Sequence, residues 1–292
     1  MRDLASRFNR TLAAAACVVG AIVGCDGSQR GPDASPRPLK RTAEVTVRFD
    51  VPAQGPITAS ALAFRASAAG LTAAEVMGVV DPLSAASPTS ACVVWDLDIA
   101  SRALNARGGT VELEAIAGIE VGLGTTGVML RPSARLHPDV VPAVGGVVAE
   151  SGPIPLPALP PWISVEVFDI AGEITELATP AAARIVTING SAPGSHVGVS
   201  AGLDIFVSEA AGTTVELRPF GGTSAISCPA MSDGRVFISR AAVARLVGRT
   251  PAPVSFDAVR RNDSERVTGL DARLSVEVRS SAVIELHLEG MP

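Results

Sequence analysis

Apolar and polar residues alternate in short runs along most of the chain. Val45, Val47, Phe49 and Val51 alternate with Thr46, Arg48 and Asp50. Period two is the pattern of a strand with one face in a core and the other in water. Comparable runs predict strands over 61–66, 92–99, 110–116, 119–123 and 128–136, then over 163–168, 183–188, 203–208, 213–220, 235–238, 254–260, 273–279 and 282–288. Two short helices interrupt them. One covers Leu71–Val80, where Thr72 and Glu75 fit a capping box. The other covers Arg240–Val247 behind a capping Ser239, with Ala242, Val243 and Leu246 at helical spacing. Gly, Pro, Asn and Asp separate the runs, so the pattern predicts an all-β protein. It divides into two antiparallel β-sandwich-like domains, 42–150 and 162–292. Between them, residues 151–161 (SGPIPLPALPP) hold five prolines in eleven positions and read as a semi-rigid linker.

The first 25 residues follow another pattern. Arg2, Arg7 and Arg10 stand against a single acid, Asp3, and residues 12–23 (LAAAACVVGAIV) carry no charge. An apolar run of this length suits an export signal, for which about 7–15 residues serve; a bilayer-spanning helix needs about 20. The run ends in Ile22-Val-Gly-Cys25, which resembles the lipobox of bacterial lipoproteins. That resemblance implies that residues 1–24 are a signal peptide and that Cys25 becomes the lipid-bearing first residue. Residues 25–41 then form a tether, since their Pro-rich, Gly-rich and polar composition cannot offset its ordering entropy by burial. The protein is therefore expected to be exported and lipid-anchored to the cell envelope, in the inner or the outer membrane.

Charge and composition narrow the partners. Loss of residues 1–24 takes the formal net charge from −5 to −7 by removing three arginines and one aspartate. An acidic chain with no basic block has no footing for nucleic acid. The chain has no tyrosine, and its two tryptophans, Trp95 and Trp162, both lie beside predicted strands and are assigned to the core. Scarce aromatics lower the case for carbohydrate binding, because exposed rings give large contact area at low entropic cost. The expected partners are the membrane, through lipid on Cys25, and an envelope protein or polysaccharide.

Motifs that suggest chemistry lack its context. Gly122-Leu-Gly124-Thr-Thr-Gly127 matches the dinucleotide fingerprint, but a strand follows where a helix must begin, so the glycines are assigned to a hairpin turn. Gly198-Val-Ser200-Ala-Gly202 matches a nucleophile elbow, again with a strand where the helix belongs. It defines the alternative reading, a serine hydrolase with Ser200 as nucleophile, His287 as base and Asp257 as orienter. His137, His196 and His287 are isolated, and Asp96-Leu-Asp98 and Asn262-Asp263 are too sparse for a calcium loop. No catalytic residue, metal or cofactor is expected, and the favoured reading is a binding or structural protein rather than an enzyme.

Cys92 and Cys228 are the two cysteines of the mature body besides Cys25. Export permits a disulfide between them, whereas the apolar flanks (SACVVW and AISCPA) favour two buried free thiols, which is the expectation adopted. A succession of short motifs over about 110–288 is similar to a group of uncharacterised secreted lipoproteins of GC-rich Gram-negative bacteria. It runs through Val111-Glu-Leu113, Ala117-Gly-Ile-Glu-Val121, Leu130-Arg-Pro132, His137-Pro-Asp-Val140 and Gly146-Val-Val148. It continues with Ser227-Cys228, Asp233-Gly-Arg-Val-Phe-Ile238 and the helical Ala241–Leu246. The resemblance implies β-rich surface domains and carries no catalytic residues.

Overall fold

Strand β1 (Leu39–Pro52) lies between its antiparallel neighbour β2 (Ile57–Ala69) and β18 (Ala272–Leu288), with which it pairs in parallel. The first and last strands of the body are thus neighbours. The computed structural model describes residues 39–69, 80, 91–96, 110–116, 118–136, 144–167, 174–194, 196–222, 224–248, 251–267 and 272–289. The leader, Cys25 and residues 25–38 of the expected tether lie outside the described residues, as do Asp98, His137 and all of the helix expected at 71–80 except Val80. Residues 39–41, expected in the tether, instead begin β1, where they pair with Ala69, Ala68 and Ser67 of β2.

The fold is all-β. One large sheet runs in the order β3 (Val93–Asp96), β15 (Ser224–Pro229), β14 (Thr213–Pro219), β17 (Ala252–Val267), β18, β1, β2, β4 (Val111–Ala115), β8 (Val144–Leu156), β7 (Ser133–Leu136). An eleventh strand, β12 (His196–Val199), pairs in parallel with the far end of β18. Two small sheets complete the set. The first is β10 (Ile174–Ala178), β9 (Trp162–Val167), β5 (Ile119–Gly122) and β6 (Met129–Leu130). The second is β11 (Ile185–Ile188), β13 (Gly202–Val207) and β16 (Arg235–Ser239).

Alternation along β18 shows how the layers meet. Leu274, Val276 and Val278 enter a core with Val45, Val47 and Phe49 of β1 and with Ile163 and Val165 of β9. Further along the same face, Ile284 and Leu286 enter a second core with Leu203 and Ile205 of β13 and Ile238 of β16. Two sandwiches therefore share one backing sheet, and β17 and β18, paired from Ala252↔Leu286 to Val267↔Ala272, run through both. Ser280 and Ser281 do not break β18, because Ala258 and Asp257 of β17 pair with them in continuous register.

This corrects the expected division at 151–161. Ser151 to Leu156 are the end of β8, and the large sheet mixes strands from both sides of the supposed boundary. Residues 39–292 form one compact unit. The prolines are tolerated for a definite reason. Among the described residues the strand past Glu150 pairs only with β2, through a register shift between Ala59 and Ala61, so Pro153 and Pro155 need not donate on the open side. At the shift, Ser151 Oγ accepts from the Ala61 N–H at 2.8 Å.

Helix α1 (Arg240–Val247) packs Val243, Leu246 and Val247 into the second core. Ser239 Oγ accepts from the Ala242 N–H at 3.3 Å, and Gly248 ends the helix at φ 68° with its N–H on Ala244 O. Ser239→Ala is expected to cost about 1 kcal/mol through loss of that cap, read as a lower denaturation midpoint with unchanged slope.

Candidate functional site

In the middle of the large sheet the polar half of the strand alternation does not face water. On the side of the large sheet opposite the two cores, in-register positions of β14, β17, β18 and β1 bring together charges of both signs. Glu277 is opposite Arg48 of β1 and Arg261 of β17, and Glu216 of β14 is opposite Asp257 of β17. Glu216, Asp257 and Glu277 are fully buried, and Arg279 is 2 % exposed.

Arg279 is the hub. Its Nη1 donates to Glu216 Oε2 and to Asp257 Oδ2, each at 2.8 Å, and its Nη2 donates to Glu277 Oε1 at 2.6 Å. Arg261 bridges the same two glutamates, with Nε on Glu277 at 2.8 Å and Nη2 on Glu216 at 3.1 Å. Arg48 Nε reaches Glu277 at 3.0 Å, and Arg218 Nη2 reaches Asp257 at 2.8 Å beside Ser255 Oγ at 2.7 Å. Such multiple charge-assisted bonds are what keep buried ions tolerable.

The electrostatics follow from this geometry. Burial would raise Glu277, but Arg279, Arg48 and Arg261 outweigh it and hold its carboxyl far below the ordinary range. Burial also opposes the charge on Asp257, and Arg279 with Arg218 again prevails, so its carboxyl is lowered. At Glu216 burial wins over Arg279 and Arg261, and the carboxyl is raised. Burial would lower Arg279, yet Glu216, Glu277 and Asp257 lift it well above the usual guanidinium value. Asp50, at the rim opposite Arg279, is raised by burial, which Arg48 only partly opposes. The network fastens four strands to one another, and each of its buried carboxylates is already spent on an arginine.

The hydrolase alternative finds no support in these positions. Ser200 is an exposed turn residue between β12 and β13. Asp257 is committed to Arg279 and Arg218. Its β18 register partner is Ser281, six residues from His287, which is about 20 Å along a strand at roughly 3.3 Å per residue. His287 is 45 % exposed in its side chain and lies 3.9 Å from Glu289. Gly122–Gly127 is a hairpin: Gly124 and Gly127 take φ 54° and 70° in the 3-10 turn between β5 and β6. His196 faces Glu285 at 3.4 Å, Asp96 accepts from Ser224 Oγ at 3.0 Å, and Asn262 donates to Ala178 O at 2.9 Å. Asp263 pairs with Arg273. Trp95 and Trp162 are half-buried at strand positions rather than in a core.

The cysteine expectation is corrected. Cys92 and Cys228 form a disulfide. Pairing of β15 with β3 sets Ser227 opposite Val93, which carries Cys92 to the side of Cys228. Cys228 is buried, whereas Cys92 is exposed at the start of the edge strand, so an apolar flank did not mean burial.

No family model and no curated protein matches this chain. Among solved structures, the mu homology domain of Fcho1 from Danio rerio with a bound Eps15 peptide aligns at 7 % identity. The alignment covers 87 % of this chain and 98 % of that one, with a TM-score of 0.20, at which the likeness bears on neither fold nor function. Among the described residues no helix is long and apolar enough to cross a membrane.

Proposed function

We propose that this chain is an exported lipoprotein, anchored at the bacterial cell envelope by lipid on Cys25, whose β-rich body serves a binding or structural role. The observation that carries the reading is the order of the first 25 residues: three arginines, a twelve-residue uncharged run, then Ile22-Val-Gly-Cys25. The disulfide Cys92–Cys228 supports export independently, because such bonds persist in oxidising compartments and are rare in the cytosol. The anchoring is physical: each buried methylene contributes about 0.8 kcal/mol, and more than one acyl chain makes the attachment stable. Strands β17 and β18, running through both cores, give surface groups a rigid mount, which suits binding better than movement.

Metabolic labelling with a palmitate analogue tests the anchor. The wild-type chain is expected to incorporate label and sediment with membranes, and Cys25→Ala to do neither. Equal labelling of the two chains overturns the proposal.

A further inference from the structure

The three-stranded sheet β11–β13–β16 turns Leu203, Ile205, Val236 and Ile238 into the second core. Its other face is exposed at Asp204, Phe206, Arg235 and Phe237 and has an unusual composition. Asp204 of β13 stands opposite Phe237 of β16, and Phe206 stands opposite Arg235, so rings and charges form a checkerboard. Phe237 is 58 % exposed and Phe206 38 %.

Each ring reaches across toward a glycine at the neighbouring strand. A Cβ at Gly202 would come within 3.0 Å of Phe237 Cζ and 3.1 Å of its Cε2. At Gly234 it would come within 3.0 Å of Phe206 Cε2. Each glycine is buried, and its missing side chain leaves the space that the ring atoms occupy.

The charges between the rings are unspent. Arg131, Arg135 and Arg273 on the exposed surface each pair with an acid. Among the described residues neither the Asp204 carboxylate nor the Arg235 guanidinium has a hydrogen-bond or ion-pair partner. One acceptor and one donor fork of opposite sign, on neighbouring strands, select no net charge. They suit a neutral ligand whose groups both donate and accept.

We propose that this face binds a neutral polysaccharide. A sugar ring offers an apolar C–H face to an aromatic π face and a rim of hydroxyls to a carboxylate and a guanidinium. A protein partner fits less well: strands of four to six residues, about 4.8 Å apart, make a face well short of the roughly 800 Å² per partner of a stable protein interface. The proposal deepens the reading of the chain as an envelope protein, which would meet such polymers there.

Binding of the full chain, held in detergent, to a panel of neutral gluco-, manno- and galacto-oligosaccharides tests it by biolayer interferometry. At least one class is expected to bind the wild type. Phe237→Ala should weaken that binding tenfold or more, and Asp204→Asn and Arg235→Gln each about fivefold. Phe220→Ala, a ring 62 % exposed on the turn after β14, should leave it unchanged, which separates the platform from general surface apolarity. Absence of binding to the whole panel, or undiminished binding by Phe237→Ala, overturns the proposal. So does sedimentation showing a wild-type dimer that Phe237→Ala dissociates, because the face would then be a contact between copies. Palmitate labelling of the same wild-type chain keeps the anchor apart: label without sugar binding sinks only the platform, and sugar binding without label sinks only the anchor.

Discussion

Arg279→Met is expected to cost the 39–292 body about 3–5 kcal/mol, because removing one member of a buried ion network leaves the others uncompensated. The side chain is 3 % exposed and bonds to three fully buried carboxylates, Glu216, Asp257 and Glu277. Methionine fills much of the volume but returns none of the charge. A loss of that size is a large share of the 5–15 kcal/mol typical of a folded domain. Urea denaturation is the check, and a shift below about 1 kcal/mol would mean that solvent reaches these carboxylates.

The same network fixes the sign of the acid response. Glu277 and Asp257 have lowered carboxyls in the fold. Their contribution is fully present above the unfolded value near 4 and is lost as pH falls below it toward their folded values. Glu216 and Asp50 are raised, so they bind protons more readily in the fold and their contributions run the other way. Glu277 is ion-paired to three arginines and Asp257 to two, and losing those pairs predicts net destabilisation below about pH 4, a loss that Arg279→Met should reduce.

Removing the disulfide has the next largest expected effect. The bond closes a sequence separation of 136 residues, for which the chain-entropy model gives about 4–5 kcal/mol before native-state strain is subtracted. Among the described residues strand β3 pairs only with β15 at the sheet edge, so it is the element whose amides should lose hydrogen-exchange protection first on reduction. The 39–292 body holds no other cysteine. Under denaturing, non-reducing conditions it should show no reactive thiol, and two after reduction. Two thiols without reduction would contradict the bond.

Local pattern was enough to read many of the strands and helix α1, though it missed β8, β10, β12 and β15 and ran β6 and β7 together. The alternation over 45–51 is the buried stripe of β1, and Ser239 caps the helix that its position foretold. Pairing was not legible, because register depends on contacts far apart in sequence. Arg273–Arg279 reads as a strand with one wet face, yet Glu277 and Arg279 are buried against partners from β14, β17 and β1. An alternating polar residue looks the same whether it faces water or a distant counter-ion. The proline run misled for a related reason: proline forbids a donor, not a strand, and β8 has one open side where Pro153 and Pro155 stand. Cys92 misled because its flanking valines, Val93 and Val94, are themselves about 40 % exposed on an edge strand. The platform of Phe206 and Phe237 escaped a composition argument, since few aromatics in total says nothing of two that share one face.

The most direct test of the anchored, exported body is the mass of the N-terminal peptide from chain extracted from the membranes of a Gram-negative host. Processing between Gly24 and Cys25, with the peptide beginning at an acylated Cys25, is the expected result. A peptide that retains residues 1–24, or one that begins at an unmodified cysteine, would contradict it.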